Sequence, residues 1–194
     1  MIFSVSDLAH KWAMQRKPFY NQHTIKEGGD IRGKYTGNIG EFFFSEALQK
    51  NNIDHCCVGS SIHSHDFVVG SITIDTKAKE RTYSYIDRPG RLDADEGHIA
   101  LNQEGFACDI YVFASSHASS SAEPAQSVQF IGWISKASFW KQCQRVGKGE
   151  ETAPNFFERA DAGKLPYKKL SPMGLLLDNL SDHMTKNRFD KEIL

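Results

Sequence analysis

The stretch HDFVVGSITIDTKAK, residues 65–79, decides how this chain is read. Two apolar runs, Phe67–Val69 and Ile72–Ile74, flank Gly70-Ser71, a pair suited to a two-residue hairpin turn. Such a turn fixes the register. Val69 falls opposite Ile72, Val68 opposite Thr73, Phe67 opposite Ile74 and Asp66 opposite Asp75. Directly opposed residues hold their Cβ atoms about 4.5–5.5 Å apart on one face. Side chains alternate along a strand, so Lys77 shares the face of Asp75 while Ile72 and Ile74 take the other.

Like charges set opposite one another destabilise a plain hairpin. A cation between them removes that cost. Hard divalent ions such as Mg²⁺ take one or two carboxylates and complete their shell with water and substrate phosphate. A lysine on the same face can orient or help deprotonate a metal-bound water, or stabilise charge developing on a phosphate. The constellation therefore predicts metal-assisted phosphodiester hydrolysis. The competing reading is an exposed Asp-x-Lys ion pair on a solvent-facing strand, with Asp66 as a strand-entry residue, because that spacing recurs in many unrelated sequences.

A chain of 194 residues fits one domain with room for a substantial core. The net charge of −1 gives no general attraction for polyanions, so nucleic-acid contact would need local basic patches. No apolar run approaches the length needed to cross a bilayer, and the start, MIFSVSDLAHKWAMQRK, lacks the basic-then-apolar order of a secretory signal. Four cysteines without such a signal are expected as reduced thiols in an intracellular, cytoplasmic protein.

Around the hairpin, SVSDLAHKWAMQ reads as a first helix capped by Ser4 or Ser6, with Leu8, Ala9, Trp12 and Ala13 at helical spacing. KEGGDIRGKYTG reads as a glycine-punctuated loop. A second helix follows in NIGEFFFSEALQKN, and with Asn38 as N-cap, Glu41 would sit at N3, where a capping-box glutamate belongs. HCCVGS reads as a strand by pattern, while residues 80–107 carry no clear element. CDIYVFAS and SVQFIGWIS are strands rich in β-branched and aromatic residues, joined by the surface connection SHASSSAEPAQ. KASFWKQCQRVG reads as a helix closed by Gly147, followed by an irregular stretch to Leu170 and a final helix opened by Ser171-Pro172. The expected architecture is a single α/β domain over 1–194, with a central mixed β-sheet flanked by helices. Its core spans about 35–147 and its C-terminal segment 148–194.

The order of a glutamate-bearing helix (GNIGE), a strand, Asp66, and then Asp75-Thr-Lys77 on the next strand resembles the PD-(D/E)xK nuclease superfamily. That superfamily pairs an acidic residue on one strand of a hairpin with a (D/E)-x-K on the next, and many members add a glutamate from the preceding core helix. The resemblance covers roughly residues 35–80. It implies a restriction-endonuclease-like core, of the small phage- or restriction-type, and divalent-metal-dependent hydrolysis of DNA with Mg²⁺ or Mn²⁺. Asp66 and Asp75 would be metal ligands, Lys77 the catalytic lysine, and Glu41 the additional helix-borne ligand or water-orienting group. It leaves room for a homodimer, since many such nucleases cut two strands by dimerising. His65 stands where the motif has proline, and the second acid is Asp rather than the commoner Glu, one methylene shorter.

His65 is a further candidate for touching substrate, and Lys79 and Arg81, continuing the Lys77 face, for touching phosphates; each has an ordinary solvated strand end as its alternative. Arg32, Lys34, Arg88 and Arg91 could supply a basic patch. Cys56, Cys57, His63 and His65 raise zinc, though adjacent cysteines chelate one ion poorly and a buried pair of strand thiols competes. Trp133 and Trp140 read as core rather than as base-stacking platforms. Two other readings stand beside the nuclease: a catalytically silent nucleic-acid-binding or assembly protein on the same scaffold, and a zinc-stabilised interaction module.

Overall fold

The hairpin forms in the expected register, with Val69↔Ile72, Val68↔Thr73 and Phe67↔Ile74 paired antiparallel. Gly70 has φ +60° and Ser71 is not among the positive-φ residues. That combination is the type II′ turn, whose twist matches the flanking strands. The computed structural model describes residues 1–15, 31–58, 64–82, 95–119, 123–153, 156–158 and 160–192. Its elements are β1 (Ile2–Ser4), α1 (Asp7–Gln15), α2 (Ile31–Lys50), β2 (Cys56–Cys57), β3 (Phe67–Val69), β4 (Ile72–Thr82) and β5 (Glu96–Ala100). They continue with β6 (Ile110–Ala118), β7 (Ser127–Ser135), α3 (Lys136–Gln142), β8 (Gln144–Val146), β9 (Glu151–Ala153), β10 (Phe156–Phe157), β11 (Ala162–Pro166) and α4 (Met173–Glu192).

The protein is a mixed α/β fold. Its main sheet has the order β1-β7-β6-β4-β3-β2. β4 and β6 run parallel, and the other neighbours run antiparallel. Alternation on β4 and β6 splits the interior into two cores. Ile74, Val112, Ala114, Val128 and Phe130 turn to the layer of α1, α2 and α4, where Ile39, Phe44, Leu48, Leu176 and Leu180 are buried. Tyr111, Phe113 and Ile134 turn to the opposite layer, made by α3 and a three-stranded sheet of order β5-β11-β8. Asp75 and Lys77 lie beside Tyr111 and Phe113 in register, so the candidate site is on this second side. Among the described residues, no helix is long and apolar enough to cross a membrane.

Three expectations change. α2 begins at Ile31, inside the stretch read as a loop, and Asn38 lies within the helix with its Nδ2 donating to the Ala13 carbonyl at 2.8 Å. Glycines 33, 37 and 40 weaken helix propensity, but tertiary packing overrides them. At Gly40 the helix rests so closely on β4 that a Cβ there would lie 2.8 Å from that of Ala78. The helix read over 136–147 stops at Gln142, and residues 144–146 form β8. The irregular stretch after Gly147 contains β11, which pairs with both β5 and β8.

Two expectations hold closely. β6 and β7 fall on the predicted strands, and Ser6 caps α1 by accepting a hydrogen bond from the Ala9 amide at 3.3 Å. Leu8, expected on the apolar face of α1, is exposed; Ala9 and Ala13 carry the burial instead.

Candidate active site at the β3–β4 hairpin

The β3–β4 ladder ends at Phe67↔Ile74, and the Asp66 amide still donates to the Ile74 carbonyl at 2.9 Å. At the next step a side chain replaces backbone. Asp66 Oδ2 accepts from the Thr76 amide at 2.7 Å and from Thr76 Oγ1 at 2.6 Å. Thr76, the middle residue of Asp-x-Lys, thus fixes the carboxylate that faces Asp75; the sequence alone gave it no role. Opposite, Lys77 Nζ donates to Asp75 Oδ2 at 2.6 Å. Asp66 is close enough to Asp75 to raise the pKa of its carboxyl group. The hairpin therefore brings Asp66, Asp75 and Lys77 together.

Their electrostatics follow from burial. The Asp75 side chain is 8% exposed and that of Lys77 23%. Burial pushes the Asp75 carboxyl up; Lys77 pulls it down, Asp66 adds to the rise, and the outcome is about 7. Burial works against the Lys77 ammonium, but Asp75 and Asp66 overcome it and hold its pKa above the usual lysine value. Lys77 is thus a stable cation between two acids. Cys108, at the approach to β6, is a close neighbour whose thiol is pushed up to about 12, first by burial and then by Asp75. It is an inert thiol at neutral pH.

Glu41 comes from the other layer. With α2 beginning at Ile31, Glu41 is mid-helix and 7% exposed rather than at a capping position. Ser45, one turn on along the same flank, lies 2.7 Å from His55 Nε2. β2 follows directly, with Cys57 paired to Phe67 and the Val58 amide donating to the Asp66 carbonyl at 2.7 Å. Ser45, on the same flank of α2 as Glu41, thus packs beside the segment leading into β2 at the edge of the sheet. Among the described residues, no group of three or more His, Cys, Asp or Glu side chains is gathered tightly enough to hold a metal ion.

The candidate phosphate contacts are engaged elsewhere. The Arg81 side chain is 3% exposed; its guanidinium forms a two-nitrogen ion pair with Asp95 and reaches Ser115 Oγ at 3.0 Å and the Tyr167 hydroxyl at 3.1 Å. Lys79 Nζ, half exposed, lies 3.2 Å from the other Asp95 oxygen. Burial would lift the Asp95 carboxyl, but Arg81 and Lys79 hold it below the usual carboxylate range. His117, 2.9 Å from Ser115 Oγ, completes this polar layer and is pushed down to about 4 by burial and then by Arg81, so it is neutral. Asp95, which precedes β5, thus clamps the small sheet to β4. Nothing local in the sequence marks it.

His65 ties loops together: its Nδ1 is 3.0 Å from the Ala107 carbonyl and 2.8 Å from Ser64 Oγ. Cys56 and Cys57 are exposed, not a buried pair, and His63 lies outside the described residues. Arg88 and Arg91 also lie outside the described residues, as do the side chains of Arg32 and Lys34. Trp133 and Trp140 donate to the Pro172 carbonyl and the Tyr111 hydroxyl at 3.1 and 3.2 Å, which are packing roles. Comparison with protein-family models, with curated proteins and with solved structures yields no match for this chain.

Proposed function

We propose that this protein is a divalent-metal-dependent nuclease that hydrolyses DNA phosphodiester bonds, built on a restriction-endonuclease-like core. The observation that carries the reading is the meeting of Asp66 and Lys77 with the buried Asp75 at the end of one hairpin ladder. Two neighbouring carboxyl groups, one with its pKa lifted to about 7, form a site where a cation relieves a standing electrostatic cost.

The residues fit a hard cation. Both aspartates offer oxygen donors. Thr76 occupies only Oδ2 of Asp66, and so sets its direction without consuming the carboxylate. A Mg²⁺ or Mn²⁺ ion held by Asp66 and Asp75, with Glu41 drawn in from α2, would polarise the scissile phosphate and lower the pKa of a bound water. Lys77 keeps a full positive charge one strand step from Asp75, where it can orient the attacking water or offset charge growing on the phosphate. Burial of both partners strengthens these interactions relative to water.

A silent binding or assembly protein on the same scaffold is the competing reading. It is favoured by one observation, the 2.6 Å pair in which Lys77 and Asp75 satisfy each other. Cleavage separates the two. Purified protein given Mg²⁺ or Mn²⁺ should cut DNA, stop when the metal is chelated, and lose at least ~100-fold in rate in Lys77→Ala, the usual cost of removing one preorganised charge-stabilising group. If neither metal supports cutting of duplex, single-stranded, branched or RNA substrates, the silent reading replaces the nuclease.

A further inference from the structure

Building on the nuclease reading, we infer that the site takes its substrate as an unpaired strand: single-stranded DNA, an overhang or a frayed end. The reactive cluster is largely covered. Asp75 and Lys77 are on the covered face of β4, with side chains 8% and 23% exposed. Phe113, the register partner of Lys77, is roofed by β5 so closely that a Cβ on Gly97 would stand 2.4 Å from its ring. Cys108 closes the approach beside Asp75, and its Sγ is fixed 3.1 Å from the Ile110 carbonyl. The contact of His65 with the Ala107 carbonyl at 3.0 Å joins the loop before β3 to the loop before β6. β4 lies between those two strands, so this contact is a strap across β4 near Asp75.

A duplex is a stiff rod with a persistence length of about 150 base pairs, and it presents its phosphates on a convex surface. It cannot press a phosphate beneath a rim without opening. A single strand bends freely and can lower one phosphate past the strap.

Charge points the same way. Specific duplex binding draws on rows of Lys and Arg. Among the described residues, Lys79 and Arg81 pair with Asp95, and Lys164 pairs with Glu158 at 2.5 Å. These three cations are engaged with carboxylates rather than set in a row for a duplex backbone, which suits a short single-stranded footprint.

The test uses the full chain with Mn²⁺ and one labelled sequence in four forms: single strand, blunt duplex, duplex with an overhang, and covalently closed circular duplex. Single strand and overhang should be cut ~100-fold or more faster than the closed circle, a factor equal to the few kcal/mol needed to unpair a nucleotide. Equal rates on the closed circle and the single strand would overturn this inference and leave the nuclease intact. No cleavage of any form would overturn the nuclease reading beneath it.

Discussion

If the protein is the proposed nuclease, Asp75→Asn should lower metal-dependent cleavage by at least ~100- to 1,000-fold, and it should alter the melting of the metal-free protein in a pH-dependent way. Both effects have one origin. The carboxyl sits buried, beside Asp66, with its pKa lifted from 3.8 to about 7. Between those values the folded chain holds a proton that the unfolded chain has released, so stability falls as pH rises through the window. The slope is about 1.4 kcal/mol per pH unit. From pH 5 to pH 8 the wild type therefore gives up about 3 kcal/mol at this one residue. Asparagine keeps the shape, still accepts from Lys77 and does not titrate. The melting temperature of the variant minus that of the wild type, in chelator, should grow by roughly 5–10 °C from pH 5 to pH 8 for a chain of this size. A difference that stays flat across the range would mean that Asp75 carries no buried charge cost, and would remove the reason for a cation there.

The second large effect lies away from the chemistry. Asp95→Asn removes the carboxylate that pairs with a guanidinium whose side chain is 3% exposed. Stranding a buried charge costs about 3–5 kcal/mol, so the melting temperature should drop by roughly 6–20 °C. Most of the penalty is the unpaired cation rather than the value of the pair. Asp95→Asn combined with Arg81→Met should therefore recover much of the loss. A single variant melting within about 2 °C of wild type would show that Asp95 is not the clamp between β5 and β4. The exposed Lys79 arm of the same carboxylate adds little, because water screens it.

The contrast between these two aspartates shows what sequence can carry. Asp75 was legible because its geometry is local: a Gly-Ser turn sets the register, and two-residue alternation sets the face. β6 and β7 were legible for a similar reason, being long runs of β-branched and aromatic residues. Asp95 was not. Its partner Arg81 lies on β4 across a segment with no periodic signal, and β5 gains its place only by pairing with β11, more than sixty residues later. β11 itself contains Gly163 and Pro166, residues that argue against a strand when read alone.

Glu41 illustrates the opposite error. Gly-Gly-Asp and Gly33 pushed the expected start of α2 forward to Asn38, which supplied a capping explanation for the glutamate. Helix from Ile31 onward, steadied by Asn38 on Ala13 and by the close seat of Gly40 on Ala78, removes that explanation. Glu41 is left as a buried mid-helix acid. Thr76 escaped notice because attention to Asp-x-Lys falls on its ends, while its middle residue holds the facing carboxylate.

The central claim is that Asp66 and Asp75 form a cation site. Calorimetric titration of metal-free protein with Mn²⁺ at pH 8, where Asp75 is ionised, tests it without any nucleic acid. The account predicts saturable binding by the wild type, weakened by at least ~10- to 100-fold in Asp66→Asn and in Asp75→Asn, and retained in Lys77→Ala. Absence of saturable binding, or equal affinity in the wild type and both aspartate variants, would contradict it.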